Sequence, residues 1–173
     1  RQHIEMTRDV AERFNHQMGE TFVLPDARID VNVMTVPGTD GEKMSKSRGN
    51  LLSIFAPENI LKKEVMNIVT DSRELEEPKD PETCKVFALY RLVGSTEGTE
   101  TMRKNYVAGG YGYGHAKKEL LAVLLDGFRK EREEYDRLMN DLPTLDVQLK
   151  IGAEKATVVA RGVLDRVREK LGF

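Results

Sequence analysis

Helical periodicity through the last two thirds of the chain constrains the fold more than any other feature. From residue 57 onward, apolar residues recur three and four positions apart, which is the pattern of helices that bury one face. The segments predicted to be helical are about 57–72, 81–94, 100–106, 115–139 and 151–171. A succession of such helices favours a bundle and a mainly α fold.

Four of these helices have apolar faces that we expect to point inward. In the first the face is Ile60, Leu61, Val65, Ile68 and Val69, and in the second it is Cys84, Phe87, Ala88 and Leu92. In the long helix it is Leu120, Leu121, Leu124, Leu125, Phe128, Tyr135 and Leu138, and in the final helix it is Ala156, Val159, Val163, Val167 and Leu171. Between the first two lies a stretch, 71–82, that reads as an exposed acidic connector.

The first third of the chain has a mixed character. Residues 1–19 have apolar residues at helical spacing and end at a glycine, which predicts a helix. The β-branched run "VNVMTV", residues 31–36, predicts a short strand or extended segment, and a glycine-rich loop follows it. The composition changes near residue 56, so we predict one domain over 1–56 and a helical domain over 57–173.

Composition limits the classes of function. The chain has 173 residues, with 27 basic and 29 acidic side chains, so a site for a polyanion must be local, and DNA is not an expected partner. A single cysteine, Cys84, excludes an internal disulfide framework and favours a cytoplasmic location. No apolar run approaches about eighteen residues, so no membrane span is expected. The chain opens on Arg1 without a signal-peptide pattern and reads as a fragment.

The loop "DGEKMSKSRGN", residues 40–50, places Lys43 and Lys46 three apart between glycines. A lysine ammonium is a compact point charge that suits phosphate oxygens, and two of them can neutralise a polyphosphate. Ser45 and Ser47 add hydroxyl donors, and the glycines allow the loop to close over a ligand. This chemistry indicates nucleotidyl transfer. The alternative is an ordinary solvated surface loop.

Other candidate sites are weaker. The block "GGYGYG", residues 109–114, lacks the spacing of the dinucleotide fingerprint and is expected to be a turn that enters the long helix. The histidines are scattered, and Cys84 has no second cysteine at zinc-ligand spacing, so no metal site is predicted. Cys84 itself is expected to be a small core residue.

The string "KMSKS", residues 43–47, resembles the signature loop of class I aminoacyl-tRNA synthetases at all five positions. The strings "QHIEMTRDVAERFN", "VPGTDGEKMSKSRGN", "VTDS", "PKDP" and "GGYGYGHAKKEL" resemble the tryptophanyl-tRNA synthetase family in the same order. The resemblance covers most of residues 2–120 and continues more weakly to the end.

The resemblance implies a function and a set of roles. Members activate tryptophan with ATP and Mg²⁺ to tryptophanyl-adenylate and transfer the acyl group to tRNA(Trp), and a homodimer is expected at full length. Lys43 and Lys46 would hold the ATP phosphates and stabilise the departing pyrophosphate, assisted by Ser45 and Ser47. Met44 and Val33 would lie beside the adenine. The fold implied is the C-terminal end of a Rossmann-type nucleotide-binding domain followed by a helical, anticodon-binding domain.

The family's other ATP signature, the HIGH-type motif, does not occur in this sequence. The chain alone is therefore expected to be inactive. Three alternatives are a fragment of a tyrosyl-tRNA synthetase, a non-catalytic helical RNA-binding module, and a purely structural helical protein. On the final helix six basic residues outnumber three acidic ones, which leaves Arg161, Arg166, Arg168 and Lys170 as candidates for phosphate contacts.

Overall fold

The computed structural model describes residues 1–29 and 35–173. These residues form two compact units, one of Arg1–Val31 with Leu138–Phe173 and one of Asn32–Arg137. The described helices are α1 (Gln2–Met18), α2 (Glu58–Met66), α3 (Lys85–Val93), α4 (Thr96–Ala108), α5 (Tyr113–Gly127), α6 (Arg129–Met139) and α7 (Leu142–Leu171). The only β pairing among the described residues is an isolated bridge, so the predicted mainly α fold is confirmed.

The core of the second unit forms around α5. This helix packs against α2 and α3, and α3 also packs against α4. The largest side chains that are fully buried there are Leu61, Ile68, Phe87, Met102, Tyr106 and Leu120. Burial of each such side chain contributes about 1.5–3 kcal/mol relative to exposure. The loop over residues 40–50 precedes this helical core and belongs to the same unit.

Several predicted apolar faces differ from the observed ones. In α2, Leu61 and Val65 are buried, but Ile60 is 43% exposed, and Val69 lies beyond the end of the helix and is 51% exposed. In α3 the buried residues are Val86, Phe87, Leu89 and Tyr90 rather than the single predicted stripe. The reason is that neighbouring helices contact α3 on two sides, so it buries a broader surface than one stripe.

The long predicted helix over 115–139 is two helices, α5 and α6, which are separated at Phe128. The connector over 71–82 is irregular, as predicted, but it is not uniformly exposed. Lys79 is 3% exposed, and its ammonium donates to the carbonyls of Glu74, Leu75 and Glu77 at 2.8, 3.2 and 2.9 Å. A buried charge thus stabilises the turn of an acidic segment.

The first unit contains α1, the segment after it, and α7. Asn15 ties α1 to that segment, because its side chain accepts from the Thr21 and Phe22 amides and donates to the Phe22 carbonyl. The helix α7 begins at Leu142, where the Asp141 side chain caps the Thr144 amide. It begins nine residues before the predicted start and has no buried residue, so its predicted inward stripe is wrong: Val159 is 73% exposed.

The expected strand over residues 31–36 falls mostly on residues 30–34, which lie outside the described part. The predicted domain boundary at residue 56 falls inside the second unit. It rests on sequence character, so the functional assignment of 1–56 and 57–173 stays a prediction. None of the helices in the described part has both the length and the apolar composition needed to cross a bilayer.

Candidate functional site

The lysine loop begins with a tight hairpin. Pro37 and Lys43 form an antiparallel bridge, and the Gly38 amide donates to the Glu42 carbonyl at 2.7 Å. Gly41 has a φ of 88°, a value that side-chain-bearing residues rarely adopt, and it allows the chain to reverse direction. The hairpin therefore fixes the backbone of Lys43 at the end of a short closed turn.

The second lysine lies on a single turn of 3₁₀ helix, Lys46–Arg48. The turn closes through the Gly49 amide, which donates to the Lys46 carbonyl at 3.2 Å, and Gly49 is left-handed with a φ of 67°. The hydroxyls of Ser45 and Ser47 lie 2.8 Å apart, within hydrogen-bond distance. Two lysines and two hydroxyls are thus on one short, ordered stretch of backbone.

The side chains of Lys43 and Lys46 are exposed. Neither ammonium takes part in any ion pair among residues 1–29 and 35–173. This distinguishes them from Lys79, whose donors are consumed by three backbone carbonyls. Exposed ammonium groups without a carboxylate partner are available to an anionic ligand.

One buried polar side chain organises the loop. Asn50 is 3% exposed; its amide nitrogen donates to Asp40 Oδ1 at 2.8 Å and to the Lys43 carbonyl at 3.2 Å, and its amide oxygen accepts from the Ser45 amide at 2.8 Å. The hydrogen bond from Asn50, helped by the Glu42 amide, lowers the pKa of the Asp40 carboxyl below its ordinary value.

The structure brings together five of the six predicted binding residues. Lys43, Met44, Ser45, Lys46 and Ser47 all lie on this loop, and Met44 packs against the helical core of the same unit. Val33 lies outside the described residues. Sequence reasoning missed Asn50 and Asp40. The available signal was a polar residue directly after the loop glycine, but a sequence does not show that its side chain turns back into the loop.

Residues 109–112 of the glycine-tyrosine block form a packed turn that enters α5, as predicted, and the block's last two residues begin that helix. A Cβ on Gly109 would lie 2.5 Å from the Glu76 carbonyl oxygen, so only glycine fits this close approach. The Tyr113 hydroxyl donates to Asp71 at 2.6 Å, and burial together with this bond raises the pKa of Tyr113. Cys84 is buried, and its thiol donates to the Tyr106 hydroxyl at 3.4 Å.

A separate open groove of about 890 Å³ lies beside the segment that leaves the loop. Phe55 and Tyr135 stack in its wall with ring centroids 5.1 Å apart, and Arg132 donates to the Ile54 carbonyl there. Neither lysine is among the described residues that line it. The described part of the chain also has no group of three or more His, Cys, Asp and Glu side chains placed to hold a metal ion.

The described site is a loop with two exposed lysines that precedes a helical core in the same unit. Comparison with known proteins shows the family of the chain. The family model for class I tRNA synthetases of the W and Y type matches residues 1–128. The chain belongs to this family of class I aminoacyl-tRNA synthetases.

The similar proteins are tryptophan–tRNA ligases. The ligase of Rhodopirellula baltica is 46% identical over 99% of this chain and 54% of its own length, and that of Campylobacter jejuni is 42% identical over 99% and 54%. A crystal structure of the Campylobacter jejuni tryptophanyl-tRNA synthetase, solved with ADP and tryptophan, matches with a TM-score of 0.82, 41% identity, and coverage of 99% of this chain and 54% of that one. The chain thus spans about half the length of these relatives, and nothing in the comparisons favours the tyrosyl alternative.

Proposed function

We propose that this chain is part of a tryptophan–tRNA ligase, which activates tryptophan with ATP and Mg²⁺ to tryptophanyl-adenylate and transfers the acyl group to tRNA(Trp). The observation that carries the proposal is the similarity to tryptophan ligases along 99% of the chain. The geometry of the lysine loop supports it, because the two exposed ammonium groups suit the phosphates of ATP. A cytoplasmic homodimer is part of the same proposal.

Within this proposal the loop residues have separate tasks. Lys43 and Lys46 hold the phosphates and stabilise the charge that develops on the departing pyrophosphate. Ser45 and Ser47 add hydroxyl donors beside them, at the observed separation of 2.8 Å. Met44 and Val33 lie beside the adenine through backbone contacts. Mg²⁺ arrives with the ATP phosphates.

Catalysis requires more than this loop. The structural match covers 54% of the solved ligase, and the HIGH-type motif does not occur in this sequence. The loop can stabilise charge on the phosphates only if the rest of the nucleotide site holds ATP and tryptophan in line. We infer that residues 1–56 supply this loop and that residues 57–173 form the tRNA-binding part.

The isolated 173-residue chain is expected to show no tryptophan-dependent exchange of pyrophosphate into ATP. The measurement is incorporation of labelled pyrophosphate into ATP, with the longer Rhodopirellula baltica ligase as a positive control. A longer protein that contains this chain and the remaining half of the ligase should show the exchange. Exchange by the chain alone would refute its catalytic incompleteness, and inactivity of the longer protein would refute the proposed function.

The helical part is proposed to bind the anticodon region of the tRNA, with α7 as the surface. Arg161 and Arg168 are exposed on this helix. Lys170 is less available than the sequence suggested, because its ammonium donates to the Met18 and Glu20 carbonyls at 2.7 and 3.2 Å. Arg166 has a bond to the Gly162 carbonyl at 3.0 Å and is still exposed, so three arginines remain for phosphates.

Reversing Arg161, Arg166 and Arg168 to Glu is expected to weaken binding of a tRNA(Trp) anticodon stem-loop and to reduce its salt dependence. Removing one arginine–phosphate contact lowers the slope of log K against log salt by about 0.7, so removing three lowers it by about 2. The matched control reverses three exposed lysines that lie on other helices, Lys62, Lys104 and Lys118.

Both variants carry the same change in net charge, so a general electrostatic effect would weaken RNA binding equally in the two. Binding is measured by fluorescence anisotropy between about 50 and 200 mM salt, a range in which phosphate contacts are strongly expressed. Equal affinities and slopes for the α7 variant and the unmodified chain would exclude α7 as the RNA surface.

A further inference from the structure

Asn50 is a buried polar side chain at the end of the lysine loop, and the proposed function assigns it no role. Asn50 uses both kinds of group on its amide: the nitrogen donates to Asp40 and to the Lys43 carbonyl, and the oxygen accepts from the Ser45 amide. It therefore contacts the backbone on both sides of Met44. No other standard side chain of this length provides two donors and an acceptor.

The surrounding backbone is built to receive this side chain. A Cβ on Gly38 would lie 2.3 Å from the Asn50 amide nitrogen, so only the absence of a side chain at position 38 leaves room for it. The Thr39 amide donates to the Asn50 carbonyl at 3.0 Å. The Thr39 carbonyl in turn accepts from the Val69 amide at 2.9 Å, beside the buried Ile68. Backbone hydrogen bonds through Asn50 and Thr39 therefore connect the loop to the segment that follows α2.

We propose that Asn50 is a positioning residue for the two phosphate-binding lysines. Its hydrogen bonds hold the Lys43 carbonyl and the Ser45 amide in one register, and the 3₁₀ turn that carries Lys46 begins directly after Ser45. The side chain itself is too deeply buried to contact substrate, so it acts through the lysines. The effect on catalysis rests on the proposed function. The effect on the conformation of the loop does not.

The structural part can be tested on the 173-residue chain without any substrate. In Asn50→Leu the branched shape is retained, but both donors and the acceptor are removed. Amide hydrogen exchange at Ser45 is expected to accelerate by about fivefold or more, because its hydrogen-bond acceptor is lost. The Thr39 amide donates to the backbone of residue 50 and should change far less. Unchanged exchange at Ser45 would overturn the proposal.

A second variant displaces Asn50 without altering it. Gly38→Ala places a methyl group in the space of the Asn50 amide and should accelerate Ser45 exchange in the same way. Gly114→Ala is the matched control, since a Cβ there meets no heavy atom within 4 Å among the described residues. If the Ser45 amide exchanges as slowly in Gly38→Ala as it does in Gly114→Ala, the assigned role of Asn50 is contradicted.

The catalytic part requires a longer ligase that contains this chain. There Asn50→Leu is expected to lower kcat for pyrophosphate exchange by about 10–100-fold and to raise KM for ATP, with KM for tryptophan nearly unchanged, because a misplaced group reduces the rate steeply. A purely structural role would lower the active fraction and leave both KM values unchanged. That result would overturn positioning, whereas an inactive unmodified ligase would count against the proposed function alone.

Discussion

Lys46→Ala, in a longer ligase that contains this chain, is expected to lower the rate of adenylate formation by about 10²–10³. The side chain is exposed and takes part in none of the ion pairs of the described residues, so its charge is available to an anionic ligand. Under the proposed function, its largest contribution would come as negative charge accumulates on the departing pyrophosphate in the transition state. Lys43→Ala should lower the rate less.

The measurement is single-turnover formation of tryptophanyl-adenylate, together with equilibrium binding of tryptophan to the same variants. Lys62→Ala serves as the control, because this lysine is exposed on α2 and lies away from the loop in sequence. Its rate should match that of the unmodified enzyme. If Lys46→Ala weakens tryptophan binding by as much as it slows adenylation, the lysine does not act on the phosphates in the transition state.

Sequence patterns predicted the existence of most helices better than their ends. The final helix begins at Leu142 because the Asp141 side chain caps the Thr144 amide and Pro143 fits the first turn. Apolar spacing starts later than these capping signals, which explains the predicted start near residue 151. Likewise, periodicity continued across Phe128, where the backbone leaves α5 with φ −108° and ψ 18°.

Periodicity also indicates which residues share a face, but it does not indicate what covers that face. The stripe that includes Val159 and Leu171 has helical spacing, yet these residues are 73% and 46% exposed in this chain. In contrast, α3 buries more than its predicted stripe, because α4 and α5 contact it on two sides. Packing partners are set by tertiary structure, and a single sequence does not specify them.

The candidate site, too, could be predicted only in part from the sequence. Lys43 and Lys46 could be proposed from charge, glycine spacing and the resemblance of one short string. The role of Asn50 could not, since it depends on a side chain that turns back by seven residues to reach the Lys43 carbonyl. Local sequence therefore indicates which groups could meet a ligand, whereas the hydrogen bonds that hold them emerge only from the folded loop.

The second large effect that we expect is a loss of stability when a side chain of the helical core is shortened. Leu120 is fully buried in α5, the helix that packs against both α2 and α3. Leu120→Ala removes three carbon atoms from this interior and leaves a cavity, so it is expected to destabilise the unit by about 2–5 kcal/mol. At about 3 kcal/mol, the Tm should fall by about 13 °C for a unit of this size.

Unfolding of this unit can be observed without added labels. All five tyrosines lie between residues 90 and 135, and the chain has no tryptophan, so tyrosine fluorescence reports on the second unit. Ile60→Ala is the control that separates structure from periodicity: Ile60 belongs to the predicted apolar face of α2 but is 43% exposed. We expect Ile60→Ala to lower the free energy of unfolding, measured with urea, by less than about 1 kcal/mol, because surface substitutions rarely have larger effects. Equal destabilisation by Leu120→Ala and Ile60→Ala would show that the packing around α5 is not the one described.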